Sequence, residues 1–313
     1  MRKKRVVLFA LIGLLVFLAA LAFAGNYFYT YSLIPRRGER APGVPDAEYS
    51  SAAEAWPGQG AYEWLDASAH DVWIESADGL RLRGQRVDAD TGRYAILAHG
   101  YSANGRSMAA FGERFHAMGF TVLIPDLRGH GESEGHYIGM GWHDRLDMLR
   151  WIDAIVREDP GAKILLFGIS MGGATVMMTA GEALPPNVKA IVEDCGYTSV
   201  WDEFSGQMKE QFGLPPFPLM QAASAVTKLR AGFWLSEADA VKQVARSKTP
   251  ILFIHGEEDA FVPFWMLEVL YEAAGCEKEK LAVPGAGHGM ASSIDPDTYW
   301  STVEAFIGRY LVP

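Results

Sequence analysis

The stretch Lys163-Ile-Leu-Leu-Phe-Gly-Ile-Ser170-Met-Gly-Gly-Ala-Thr-Val decides the fold of this chain. An apolar run precedes Ser170 and small residues follow it, which predicts a buried strand, a sharp turn and a helix. The turn has the Gly-x-Ser-x-Gly spacing of a nucleophile elbow, in which a strained backbone holds the serine hydroxyl above the sheet. Glycine is needed where strand and helix approach too closely for a β-carbon. We expect Ser170 to be a nucleophile; the alternative is an ordinary serine at a helix N-terminus.

Short apolar strands alternate with helical segments on both sides of this turn. Further strands are predicted at 94–99, 121–126, 188–194, 249–255 and 280–284, and helices at 106–118, 144–156, 264–274 and 297–311. Alternating segments at 71–75 and 80–87, joined by Asp78-Gly79, predict an antiparallel hairpin at the start. The order predicts an α/β domain with a mostly parallel, eight-stranded sheet and helices on both faces.

Polar residues follow the predicted strands, where functional residues of such sheets lie. Five motifs together resemble the α/β-hydrolase superfamily over roughly residues 70–313. They are Ala98-His-Gly-Tyr, Asp126-Leu-Arg-Gly-His-Gly-Glu-Ser, Gly168-Ile-Ser-Met-Gly-Gly, His255-Gly-Glu-Glu-Asp-Ala-Phe-Val-Pro and Gly287-His-Gly. The segment 193–204 is similar to that of membrane-anchored bacterial hydrolases near the serine-aminopeptidase and lysophospholipase-like group, which is itself similar to depalmitoylating thioesterases. The resemblance implies an α/β-hydrolase fold with a small helical cap and mostly ester or thioester substrates.

A catalytic triad in the order serine, acid, histidine follows from this resemblance. Ser170 is expected to attack an acyl carbonyl, and His288, flanked by glycines after the last strand, is its expected base. Asp259 is expected to orient the imidazole, because it occupies the position that the superfamily uses for the acid. Asp194, which follows the preceding strand, is the alternative acid, and Glu257 or Glu258 are weaker alternatives.

Two backbone N–H groups are expected to form the oxyanion hole, which stabilises the negative charge that develops on the substrate oxygen. In this fold they belong to the residue after the nucleophile and to the loop after the third strand, here Met171 and Tyr101. Whether the Tyr101 side chain also lines the pocket stays open at this point.

Two further features have a structural and a functional interpretation. The loop 126–135 suggests a phosphate or ion loop by its glycines and charges, but it lacks the Walker pattern, and we expect Asp126 and Arg128 to pair across a tight turn. Cys195 has no elbow and no dedicated base in the sequence, so we expect a packed side chain rather than a nucleophile. No cofactor and no metal site are predicted.

The N-terminus carries an apolar segment. Four basic residues precede Val6 to Ala24, nineteen residues without a charge, which is close to the roughly 20 that cross a bilayer as a helix. We therefore predict a membrane anchor over residues 1–31, a tether over 32–66 and the catalytic domain over 67–313. The basic residues favour a cytoplasmic N-terminus and an extracytoplasmic domain in the cell membrane. The alternative is a signal peptide cleaved near Ala24, which would give a secreted protein.

The composition limits the partners of this protein. A formal net charge of −10 argues against nucleic acid as a partner, because nucleic-acid binding requires a basic surface.

An insertion at about 197–241 is rich in apolar residues and predicts a cap over an acyl pocket. The expected function is a serine hydrolase that cleaves a small-molecule or lipid-like acyl ester or thioester through an acyl-enzyme. A serine aminopeptidase that uses Glu203 or Glu210 as a charged subsite, and a non-catalytic hydrolase-fold binding protein, are the alternatives.

Overall fold

The central sheet confirms the predicted architecture. In this computed structural model, which describes residues 2–36 and 59–311, eight strands form one sheet in the order β1-β2-β4-β3-β5-β6-β7-β8. The strands are β1 His70–Glu75, β2 Arg81–Val87, β3 Arg93–Ala98, β4 Thr121–Pro125, β5 Lys163–Ile169, β6 Val188–Asp194, β7 Ile251–Gly256 and β8 Lys278–Val283. Strand β1 pairs antiparallel with β2 and β2 antiparallel with β4, whereas every other pair of neighbouring strands in the sheet is parallel. The fold is therefore a mostly parallel α/β sheet with an antiparallel edge.

Helices cover both faces of the sheet. They are α1 Arg2–Leu33, α2 Gln59–Ser68, α3 Ala109–Ala117, α4 Asp144–Glu158, α5 Met171–Ala180, α6 Val200–Phe212, α7 Pro216–Ala231, α8 Ala240–Val244, α9 Trp265–Ala273, α10 Ala291–Ile294 and α11 Pro296–Gly308, with a 3₁₀ turn at Gly105–Met108. Trp151 of α4, Met177 of α5 and Leu270 of α9 are buried on one face. Phe115 of α3 and Phe306 of α11 are buried on the other.

Strand β5 occupies the middle of this core. It lies between β3 and β6, with Leu166 opposite Ile96 on one side and Ile191 on the other, and all three side chains are fully buried. A strand buried on both faces needs a continuous apolar sequence, which this stretch has. Ser170, the residue that follows β5, is therefore held at the end of a strand that is paired on both sides.

Helix α1 reaches into the folded domain. Its 32 residues run without interruption through Leu33, so the predicted boundary at residue 31 falls inside the helix. The side chains of Val6 to Phe17 are exposed, whereas Gly25, Tyr29 and Leu33 are buried. A β-carbon on Gly25 would lie 2.6 Å from a backbone carbonyl oxygen of α7, so the two helices touch backbone to backbone. Most of the predicted tether, residues 37–58, lies outside the described residues.

Candidate active site

The elbow after β5 has a backbone of the kind that its sequence predicts. Ser170 lies at φ 56° and ψ −119°, between the end of β5 and the start of α5. A β-carbon on Gly168 would lie 2.2 Å from the Gly172 carbonyl oxygen, and one on Gly172 would lie 2.0 Å from the Ala98 carbonyl oxygen. No side chain fits at these separations, so both glycines are required by the close approach of β5, α5 and β3.

A histidine from the other end of the domain meets Ser170. The Nε2 atom of His288 lies 2.9 Å from Ser170 Oγ, although 118 residues separate the two in the chain. Gly287 and Gly289 flank His288 in the loop after β8, and Gly289 adopts φ 68°. The His288 side chain keeps 17% of its surface exposed, so the ring borders solvent while it contacts the serine.

Asp259 completes a chain of hydrogen bonds. Its Oδ2 atom lies 2.7 Å from His288 Nδ1, and its Oδ1 atom accepts the N–H groups of Phe261 and Val262. Burial alone would raise the pKa of Asp259, but the charge on His288 and hydrogen bonds from His255 and His288 outweigh it and hold the pKa below its usual value. The carboxylate is thus kept ionised at neutral pH.

The same pair sets the basicity of the histidine. Burial disfavours the charged imidazolium, but the Asp259 carboxylate outweighs this effect and raises the pKa of His288 well above its usual value. When the imidazole is neutral, Nδ1 donates its proton to Asp259 and Nε2 is free to accept the Ser170 proton. The arrangement can therefore activate a hydroxyl for attack on an acyl carbon.

The alternative acids are occupied elsewhere or point to solvent. Asp194 accepts a hydrogen bond of 2.9 Å from the Tyr299 hydroxyl, and burial raises the pKa of its carboxyl to about 6. Glu257 and Glu258 are exposed. Within the described part of the chain, the one candidate acid that forms a hydrogen bond with His288 is therefore Asp259.

The two expected oxyanion donors border one cavity with Ser170. Met171 is the first residue of α5, and Tyr101 directly follows Gly100 in the loop after β3. The Tyr101 hydroxyl donates a hydrogen bond of 2.7 Å to the backbone carbonyl of Ser32, near the end of α1. Because Ser32 lines the same cavity, the Tyr101 side chain runs along the cavity wall, which answers the question that the sequence left open.

The cavity in front of Ser170 is mostly apolar. It has an open volume of about 810 Å³, the space at its mouth included. Apolar side chains of α6 and α7 line it, among them Phe204, Met208, Phe212 and Met220. These two helices lie in the insertion that the sequence predicts as a cap. Pockets for small molecules are usually lined by apolar and aromatic side chains with a few polar groups, and these walls suit an acyl group.

Comparisons with known proteins agree with this architecture. The family described as serine aminopeptidase, S33, matches residues 91–211. The esterase Pf2001 of Pyrococcus furiosus has a similar structure, with a TM-score of 0.66 at 21% identity over 90% of this chain and 98% of that one. The chain therefore has the α/β-hydrolase fold, and its residues 91–211 are similar to the serine aminopeptidase S33 family.

Three other proteins are also similar to this chain. YqkD of Bacillus subtilis is 27% identical over 236 residues, covering 75% of this chain and 77% of that protein. The alpha/beta hydrolase domain-containing protein WAV2 of Arabidopsis thaliana is 24% identical over 257 residues, covering 79% and 80%. An acylaminoacyl peptidase of Pyrococcus horikoshii has a TM-score of 0.58 at 18% identity, covering 78% of this chain and 41% of that one. Together they support a hydrolase and leave its substrate open.

Two further histidines, both buried, brace loops. The Nε2 atom of His99 accepts the Leu127 N–H at 3.0 Å, and its Nδ1 atom lies 2.8 Å from the Gly100 carbonyl. Burial lowers the pKa of His99 to about 4, so the ring stays neutral. The Nε2 atom of His255 lies 2.9 Å from the Val262 carbonyl oxygen and thereby fixes the loop that carries Asp259.

The loop 126–135 is structural, but the expected pairing of Asp126 with Arg128 is wrong. Arg128 makes two bonds of 2.7 Å to Asp147 of α4 and also binds Asp78. Asp126 instead accepts the Gly105 N–H at 2.7 Å, and one of its oxygens lies 3.4 Å from an Arg83 nitrogen. The partners come from distant elements, which the spacing within the loop could not reveal.

Cys195 lies closer to the site than the sequence indicates. Ligand atoms of Cys195, Asp259 and His288 all lie within 4.8 Å of one another. Burial raises the pKa of the Cys195 thiol to about 12, so the thiol is protonated and a poor nucleophile at neutral pH. We therefore assign Cys195 a packing role beside the histidine.

Glu203, one of the two residues that the sequence offers as a charged subsite, lines the cavity. It is 4% exposed, and neither carboxyl oxygen has a hydrogen bond of good geometry among the described residues. Burial raises the pKa of Glu203 to about 8, although the positive charge of His288 and the nearby Gln207 oppose this shift. A buried carboxyl without a well-placed partner is costly, and a polar group of a ligand would satisfy it.

Proposed function

We propose that this α/β-hydrolase is a serine hydrolase that cleaves carboxylic esters or thioesters through an acyl-enzyme. The observation that carries the proposal is the hydrogen-bonded chain from Ser170 Oγ to His288 Nε2 and from His288 Nδ1 to Asp259. A serine is a weak nucleophile until a base within hydrogen-bond reach accepts its proton. Here the base is in reach and the carboxylate orients it.

The reaction follows from these positions. Ser170 Oγ attacks the acyl carbon while its proton passes to His288 Nε2, and the carbonyl oxygen becomes an oxyanion. The N–H groups of Tyr101 and Met171 are proposed to bind that oxyanion. The intermediate expels an alcohol or thiol that takes the proton from His288. A water molecule, deprotonated by His288, then attacks the acyl carbon, the bond from that carbon to Ser170 Oγ breaks, and His288 returns the proton to Oγ as the acid leaves.

An aminopeptidase is the second candidate, and Glu203 is the observation that favours it. A carboxylate in the cavity can bind the ammonium group of an aminoacyl substrate. The raised pKa of Glu203, about 8, reduces its charge in the empty site at neutral pH, whereas a bound ammonium would favour the ionised form. The apolar walls of the cavity favour an acyl chain, so we place the ester hydrolase first.

The proposed location is the cell membrane, with the N-terminus in the cytoplasm and the domain outside. Helix α1 is long and apolar enough to cross a bilayer, with a mean hydropathy of 3.1 over its most apolar window. A secreted protein cleaved near Ala24 is the alternative. Retention in the membrane pellet at high salt supports the anchor, and a mature N-terminus near Gly25 contradicts it.

A fluorophosphonate probe tests the proposed nucleophile. Wild type is expected to be labelled, and Ser170→Ala is expected to lose labelling completely. Ser301→Ala, at an exposed position of α11, is the matched control and should be labelled like wild type. Absence of labelling in folded wild type would contradict the serine hydrolase and favour the non-catalytic binding protein.

Substrate series separate the two catalytic candidates. Turnover of nitrophenyl esters and of aminoacyl amides is measured for wild type and for Glu203→Gln. An esterase turns over the esters faster, and the isosteric Gln leaves that rate largely unchanged. Faster turnover of the amides, with a loss of that activity in Glu203→Gln, would establish the aminopeptidase instead.

A further inference from the structure

The C-terminal end of α1 is part of the cavity that contains Ser170. Five of its residues line the cavity, namely Phe28, Tyr29, Tyr31, Ser32 and Leu33. They face the apolar side chains of the cap, and the Phe28 ring meets Phe212 edge to face at 5.3 Å between centroids. The cavity therefore has one wall from α1 and another from α6 and α7.

Specific contacts fix α1 in this position. Gly25 allows the backbone contact with α7, and Arg230 of α7 donates a hydrogen bond of 2.8 Å to Asn26. At the other end, the Leu33 carbonyl accepts the Ile138 N–H at 2.8 Å. The hydrogen bond from the Tyr101 hydroxyl to the Ser32 carbonyl ties α1 to the loop that carries a proposed oxyanion donor.

The cavity wall formed by α1 and the apolar segment from Val6 to Ala24 belong to one unbroken helix. With a rise of 1.5 Å per residue, Phe28 lies about 6 Å along the axis from Ala24, and Leu33 about 14 Å. Ala24 ends the uncharged segment that begins at Val6. If that segment spans a bilayer, the cavity begins close to the membrane surface, where acyl chains are available.

We propose that α1 is a wall of the acyl-binding pocket and selects the acyl chain, and that the substrate is a long-chain acyl ester or thioester drawn from the same bilayer. This inference rests on the proposed ester hydrolysis and on the proposed membrane span. The anchor then has two roles, because it holds the domain at the membrane and forms part of the substrate site.

Substitutions at Phe28 test the wall in detergent solution. Nitrophenyl butyrate, octanoate and dodecanoate are compared for wild type, Phe28→Ala, Phe28→Trp and Thr30→Ala. Each methylene buried in the pocket is expected to raise kcat/KM by about fourfold until the pocket is full. Phe28→Trp should shift the preference to shorter chains and Phe28→Ala to longer ones. Thr30→Ala, at an exposed position of the same helix, should keep the wild-type preference.

Fluorophosphonate labelling separates the possible failures. Absence of labelling in folded wild type contradicts the proposed function itself. Normal labelling of both Phe28 variants, together with an unchanged chain-length preference, overturns the inference and leaves the function intact.

A vesicle experiment tests the source of the chain. The full-length enzyme is reconstituted into phosphatidylcholine vesicles, and a dodecanoyl ester of a lipid is placed either in the same vesicles or in separate ones. Hydrolysis confined to shared vesicles supports a substrate drawn from the same bilayer. Equal rates in both arrangements overturn that part of the proposal.

Discussion

Replacing Gly25 by alanine is expected to push α1 away from α7. The added β-carbon would lie 2.6 Å from the Ala222 oxygen, 2.7 Å from the Ala222 carbonyl carbon and 3.1 Å from the Ala223 nitrogen. All three are backbone atoms, so no side-chain rotation relieves the overlap. Overpacking of this kind costs about 1–3 kcal/mol.

Gly13→Ala is the matched control, because it makes the same change in the same helix. A β-carbon on Gly13 has no neighbour within 4 Å among the described residues. Alanine gains about 1 kcal/mol over glycine in a helix interior at either position. The difference between the two variants therefore isolates the contact with α7, at about 1–3 kcal/mol.

Thermal unfolding in detergent, followed by tryptophan fluorescence, measures this difference. About 1 kcal/mol corresponds to a shift in Tm of roughly 2–4 °C for a domain of this size. Gly25→Ala should therefore unfold several degrees below Gly13→Ala. It should also shift the chain-length preference from butyrate toward dodecanoate, as Phe28→Ala does, because the α1 wall moves away from α7. Equal Tm values and equal chain-length preferences in the two variants would refute the packing of α1 on α7.

Two further predictions concern the charged groups of the site and the core. Asp259→Asn should lower kcat by about 10⁴-fold. Because His288 must be neutral to act as a base and its pKa is raised, wild-type kcat/KM should rise with pH through a midpoint above the usual value of about 6.5, and Asp259→Asn should move that midpoint to lower pH. An unmoved midpoint in a pH-rate profile would argue against the pairing. Arg128→Met should cost about 3–5 kcal/mol in the free energy of unfolding, because it leaves Asp147 buried without its partner. Arg114→Met, which removes an ion pair on the exposed surface, should cost less than about 1 kcal/mol, and equal costs in denaturant titrations would contradict a special role for Arg128.

The amino-acid sequence by itself determined the features that depend on local backbone geometry and burial. The apolar run of β5 and the glycines around Ser170 predict the elbow, because only a residue without a β-carbon fits there. The alternation of strands and helices predicts the parallel sheet, which the structure confirms. The length of the apolar segment likewise indicates a helix that could span a membrane.

Tertiary structure decided which distant side chains meet. Arg128 binds Asp147 rather than Asp126, and Cys195 lies beside His288, because loop conformations and strand order set these contacts. Nothing in the N-terminal sequence indicates that α1 borders the cavity in front of Ser170, since that contact depends on how the helix docks against the cap. Local sequence encodes backbone shape and burial, whereas contacts across long stretches of chain arise only when the whole domain is packed.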